Sequence, residues 1–77
     1  MLLSELRPGE RAIVRGWVGG LPPTRLLEMG ILEGTEIELV RFAPLGDPLD
    51  LRVRGYHVSI RLDQARVVEV EPAETDS

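Results

Sequence analysis

The chain holds one histidine, His57, and no cysteine. A thiolate metal site and a disulfide framework are therefore both excluded. A ligand set built on His57 would need further histidine or carboxylate partners. The alternating pattern around His57 puts it on the outer face of a strand, where it reads as an exposed polar residue. No spacing among the carboxylates resembles an oxygen cage for a hard cation. The expectation is no cofactor, and at most a weak transition-metal contact at His57. Ser4 and Ser59 have no base at motif spacing, so an activated nucleophile is missing. Gly19-Gly20 precede a helix, but Pro22 and Pro23 lack the N–H groups a phosphate would need there. The glycine pair reads as a turn. No GxxxxGK[ST] run is present, so the chain is not itself a nucleotide hydrolase. These residues point to a binding module and away from an enzyme.

What remains for function is contact chemistry. Trp17, Phe42 and Tyr56 are the only aromatic residues. They are scattered, unlike the clustered platform that grips polyproline. Leu26, Leu27 and Met29 form the apolar face of a short helix that docks on the sheet. Two helical turns cannot hide all of them, so part of this face is expected to stay exposed. Leu45 sits at the tip of a loop bracketed by Pro44 and Pro48, with no strand alternation to turn it inward. An apolar tip held rigid by prolines is a candidate partner anchor. Leu45, Leu26, Leu27, Met29 and Tyr56 are the candidate partner-binding residues.

The scaffold behind them is small. A chain of 77 residues forms one domain and buries only about 60% of its unfolded surface. No apolar run approaches the roughly 20 residues of a membrane helix, and no signal peptide opens the chain. A soluble cytoplasmic protein is expected. Net charge is −4, of which Glu71, Glu74 and Asp76 supply three negatives. All nine basic residues are arginines spread along the chain, which does not give the basic patch of a nucleic-acid binder.

Leu6 to Glu10 reads as a turn with Gly9 at its tip, and Arg11 to Val18 as a strand interrupted by a bulge at Gly16. Arg25 to Met29 is helical, with Pro22-Pro23 in its first turn. Gly30 is the left-handed stop that returns Ile31 against Leu26. Glu33-Gly34 fits a type II turn. Thr35 to Phe42 is a strand, Ala43 to Pro48 a loop, and Leu49 to Val53 an alternating strand. Arg54-Gly55-Tyr56 turns a hairpin whose second strand carries Val58, Ile60 and Leu62 inward. Asp63 caps a single helical turn through Ala65, and Val67 to Val70 is the last strand. Gly9, Gly30, Gly34, Gly46, Asp47, Pro48 and Gly55 are the structural turn residues.

The fold class is mostly β. Five short strands with regular turns indicate a small SH3-like barrel with one short helix inserted after the first strand. A five-stranded OB-type barrel is the structural rival. Closure would remove the exposed edges that a small open sheet must otherwise manage. Residues 1–71 form the barrel domain and 72–77 an acidic flexible tail.

Ordered along the chain are Leu6-x-Pro8-Gly9, then Arg25-Leu26-Leu27-x-Met29-Gly30, the turn at Gly34, and Ala43-Pro44-Leu45-Gly46-Asp47-Pro48. Arg54-Gly55-Tyr56 and Ile60-Arg61 with Ala65 complete the series. This sequence resembles the FeoA-type domain over about Leu6 to Val70. It departs from the usual pattern at Glu33, where the family often carries proline. The resemblance implies an SH3-like barrel assisting FeoB, the GTP-driven ferrous iron permease, from its cytoplasmic side. It implies contact with the membrane only through the permease, and no agreed catalytic residues. The same fold forms the C-terminal domain of DtxR-type metal-dependent repressors, so a metal-sensing regulatory module is the alternative. A repressor needs a helix-turn-helix, for which 77 residues leave no room. A small nucleic-acid-associated barrel is a further alternative, disfavoured by the acidic balance and few aromatics.

Overall fold

The computed structural model describes residues 1–73. The elements in chain order are a 3-10 turn at Leu3–Glu5, β1 (Arg11–Trp17), α1 (Thr24–Glu28), β2 (Glu36–Phe42), β3 (Leu49–Val53), β4 (Tyr56–Ile60), α2 (Leu62–Ala65) and β5 (Val68–Pro72). The strands form one antiparallel sheet in the order β4-β3-β2-β1-β5. Period-two alternation decides which face goes in. Ala12 and Val14, Ile37 and Leu39, and Leu49, Leu51 and Val53 are buried, and they share one core with Leu3, Leu26 and Ile31. Gly16 marks a bulge, because the β1–β5 register shifts between Val14 and Gly16. The bulge lets β1 bend from one neighbour to the other.

The helix stop is a Schellman motif. Gly30 has φ +83. Its N–H donates to the Leu27 carbonyl at 3.0 Å, and the Ile31 N–H donates to the Leu26 carbonyl at 3.0 Å. Ile31 and Leu26 are both fully buried, which docks a helix of five residues too short to persist alone. The next turn closes through the Thr35 N–H on the Leu32 carbonyl at 3.0 Å, with Gly34 at φ +89 as a type II turn requires.

Several expectations are corrected. The hairpin turn is shorter than Arg54 to Tyr56, because Tyr56 already pairs with Val53. Arg54 and Gly55 alone turn the chain, both at positive φ. β4 ends at Ile60 and not Leu62, because the Leu62 N–H donates to Asp47 Oδ1 at 3.0 Å and starts α2. Asp63 does not cap α2. The cap residue is Arg61, whose N–H donates to Gln64 Oε1 at 3.2 Å. The first strand stops at Trp17, and the last starts at Val68 and runs on to Pro72. Of the expected tail, only 74–77 lies outside the described residues.

The backbone ladder does not close on itself, and β4 and β5 are its two edges. The outer side of β5 is already taken. The Val70 N–H donates to the Met1 carbonyl at 2.8 Å, and Leu2 bridges to Glu69. β4 is thereby kept from pairing there.

Candidate partner-binding surface

Leu45 is 97% exposed, yet the loop that carries it is held at three points. The Gly46 N–H donates to the Ala43 carbonyl at 2.7 Å, closing a turn with Pro44 and Leu45 at its corners. Proline at the first corner presets φ for that turn. The Ala43 N–H donates to the Pro48 carbonyl at 2.9 Å. Asp47 then ties the loop to α2 through the Leu62 N–H. An apolar side chain is thus presented to solvent on a braced support.

The other candidates divide. Leu26 is fully buried, so it belongs to the core and not to a surface. Leu27 is exposed and Met29 packs partly on the core. The Tyr56 hydroxyl donates to the Met29 carbonyl at 2.9 Å, which joins Tyr56 to the end of α1. Leu45 lies elsewhere. Tyr56 pairs with Val53 at one end of the β3–β4 ladder, whereas the 43–48 loop enters at the Leu49–Ile60 end. Four strand steps of about 3.4 Å separate these ends. One surface therefore contains Tyr56 and the end of α1 with Leu27 and Met29, and a separate one contains Leu45. Leu21, 81% exposed, was missed by sequence reasoning. The signal was present, since Leu21 stands between Gly19-Gly20 and Pro22-Pro23 much as Leu45 stands between prolines.

The outer sheet face is polar and self-compensated. Arg11 meets Glu36 at 3.3 Å, Arg52 meets Glu38 at 3.6 Å, and Arg41 meets Asp50 at 2.8 Å. Asp50 also accepts from the Ser59 hydroxyl at 2.8 Å. These donors, Arg41 first, hold the Asp50 carboxyl below its ordinary range. Arg15 does the same to Glu71 across β1 and β5. Arg11, Glu36, Glu38 and Arg52 line a shallow depression of about 360 Å³ with Arg54 and Gly55. Paired charges at such exposure contribute little to stability, and they make a solvated face. His57 is exposed opposite Arg52. Among the described residues no cluster of three or more His, Cys, Asp or Glu side chains could hold a metal ion.

The FeoA domain family profile matches residues 1–72. The chain belongs to the FeoA domain family. Its FeoA domain is 43% identical over 72 residues to the Fe(2+) transport protein A/Fe(2+) transporter FeoB fusion protein of Porphyromonas gingivalis, covering 92% of this chain. The chain spans only 8% of that protein's length. The solution structure of FeoA from Chlorobium tepidum shares 34% identity, with a TM-score of 0.85 over 100% of this chain and 74% of that one. FeoA of Stenotrophomonas maltophilia, an SH3-domain protein solved with zinc, shares 30% identity, with a TM-score of 0.75 over 92% of this chain and 89% of that one. The FeoA fold here is thus the mostly β, SH3-like arrangement, and the family is one associated with ferrous iron transport. Among the described residues no helix is long and apolar enough to cross a membrane.

Proposed function

We propose that this FeoA domain is a non-enzymatic, cytoplasmic accessory protein that binds the cytoplasmic part of a GTP-driven, FeoB-like ferrous iron permease. The observation that carries the reading is the Porphyromonas gingivalis relative, in which a matching segment and an FeoB transporter are one polypeptide. Fusion holds two partners at high effective concentration, which is useful when they act on each other. The absence of an activated nucleophile in the sequence supports a binding role.

The Leu45 tip is the proposed anchor. It combines near-complete exposure with a braced backbone, so little ordering entropy is lost when it enters a pocket. The surface of Leu27, Met29 and Tyr56 is a second contact region at the other end of the β3–β4 ladder. The test is binding of the purified chain to the permease's cytoplasmic domain, followed by calorimetry, for the parent and Leu45→Asp. Folded Leu45→Asp with unchanged affinity and normal iron uptake would move the interface away from this loop. Failure of the parent to bind would remove the reading itself.

A further inference from the structure

The two edges of the sheet are treated differently. The N-terminal residues pair with the outer side of β5, whereas no backbone group among the described residues pairs with the outer side of β4. In a hairpin with a two-residue turn, the flanking pair exchanges both backbone bonds, and bonded pairs then alternate along the ladder. Here the bonded pairs are Val53–Tyr56, Leu51–Val58 and Leu49–Ile60. The N–H and C=O groups of His57 and Ser59 therefore point away from β3. Both residues are exposed. Neither has a backbone partner outside the ladder among the described residues. The edge also lacks the usual guards against pairing. Tyr56–Ile60 contains no lysine and no proline, and its register with β3 is unbroken.

We propose that β4 is a strand-pairing edge whose partner is β4 of a second copy of this chain, antiparallel about a two-fold axis at Val58. The register favours this occupant. With the axis at Val58, His57 of each copy faces Ser59 of the other, and every outward backbone group of the edge is used. An axis at His57 would oppose two imidazoles, each beside an Arg52, and would set Ser59 against Gly55 in the turn. An axis at Ser59 would oppose His57 and Arg61, whose N–H is already given to Gln64.

The side chains suit the same register. On the outer face the Ser59 hydroxyl donates to Asp50, so His57 of the second copy lands at the end of the Arg41–Asp50–Ser59 row. An imidazole then approaches a carboxylate and a hydroxyl instead of a second imidazole. On the inner face the two Val58 side chains, each half-buried in the monomer, meet at a non-hydrogen-bonded position, where Cα atoms come within about 4.5 Å. One short strand per copy is a small interface, well below the usual size of a stable one. The dimer is accordingly weak and concentration-dependent.

Sedimentation velocity over rising concentration tests this. The parent should shift from monomer toward dimer. His57→Pro removes one outward N–H without touching the β3 ladder, at a position where edge strands tolerate proline. It should weaken self-association about tenfold or more, since each copy loses a backbone bond. The double variant His57→Lys/Ser59→Lys should do the same by charge, and it carries the test if the proline variant melts early. Val58→Cys gives a single thiol in a chain without cysteine. On oxidation it should link copies faster than an Asp63→Cys control on α2. A parent that stays monomeric at every concentration, or equal linking by the two thiols, overturns the proposal. So does a chain whose His57 and Ser59 amides respond only to the permease's cytoplasmic domain, which would assign the edge to a different partner.

Discussion

Replacing Gly30 tests how the short helix is fixed to the sheet. Gly30 sits at φ +83, a region that costs an L-residue with a Cβ about 1–2 kcal/mol. A Cβ there would also come within 3.0 Å of the Tyr56 hydroxyl, the group that donates to the Met29 carbonyl. That hydroxyl is the far end of a side chain and moves easily, so the backbone term dominates. The displaced hydrogen bond adds about 0.5 kcal/mol at an exposed site. Gly30→Ala should therefore cost about 1.5–2.5 kcal/mol, a fall of roughly 6–20 °C in melting temperature for a domain of this size. Gly30→Asn should cost less, because asparagine tolerates the left-handed region, and Gly30→Val more. Thermal melts by circular dichroism read all three. In a Tyr56→Phe background, Gly30→Ala should lose its hydroxyl contribution and keep its backbone one. A Gly30→Ala melting temperature within about 2 °C of the parent would refute the Schellman assignment, since even the low end of the cost exceeds that shift.

Leu45→Asp should melt close to the parent, while permease binding weakens about 30-fold, the equivalent of about 2 kcal/mol for one lost anchor. Acid sensitivity should depend on Asp50, whose carboxyl is held low by Arg41 and Ser59. A lowered folded value means that its stabilisation is present above the unfolded pKa of about 3.9 and is lost as pH falls through the folded value. Asp50→Asn should therefore be less stable than the parent near neutrality and lose less on acidification, as pH-dependent melts would show. The monomer should bind neither Fe(II) nor Zn(II) tightly. Sub-micromolar binding in calorimetry that vanishes in His57→Ala would contradict this.

Much of the fold is legible because the sequence repeats its signals. Leu49, Leu51 and Val53 alternate with Asp50 and Arg52, and period two has one reading on a half-buried strand. Gly30 and Gly34 stand where only positive φ closes the turns. What escaped were local decisions made by remote partners. β4 stops two residues early because Asp47, fifteen positions away, takes the Leu62 N–H, and no local propensity encodes that. The edges stay unjoined because residues at the start of the chain occupy β5. On the surface, Leu45 was legible from its prolines. Leu26 was not separable from Leu27, because a five-residue helix is too short for periodicity to fix which side faces in.

The amino-terminal cover on β5 has a consequence for chain closure. β1 and β5 join residues far apart in sequence, as with Arg15 and Glu71, which are 56 positions apart. The β2–β3 connection spans only residues 43–48. Loop-closure entropy rises with the logarithm of length, so the β1–β5 ladder costs about 2 kcal/mol more to close than the β2–β3 hairpin. The bonds from Met1 and Leu2 to Val70 and Glu69 fasten the far side of that same strand. They act as a clasp on the pairing that chain entropy opposes most.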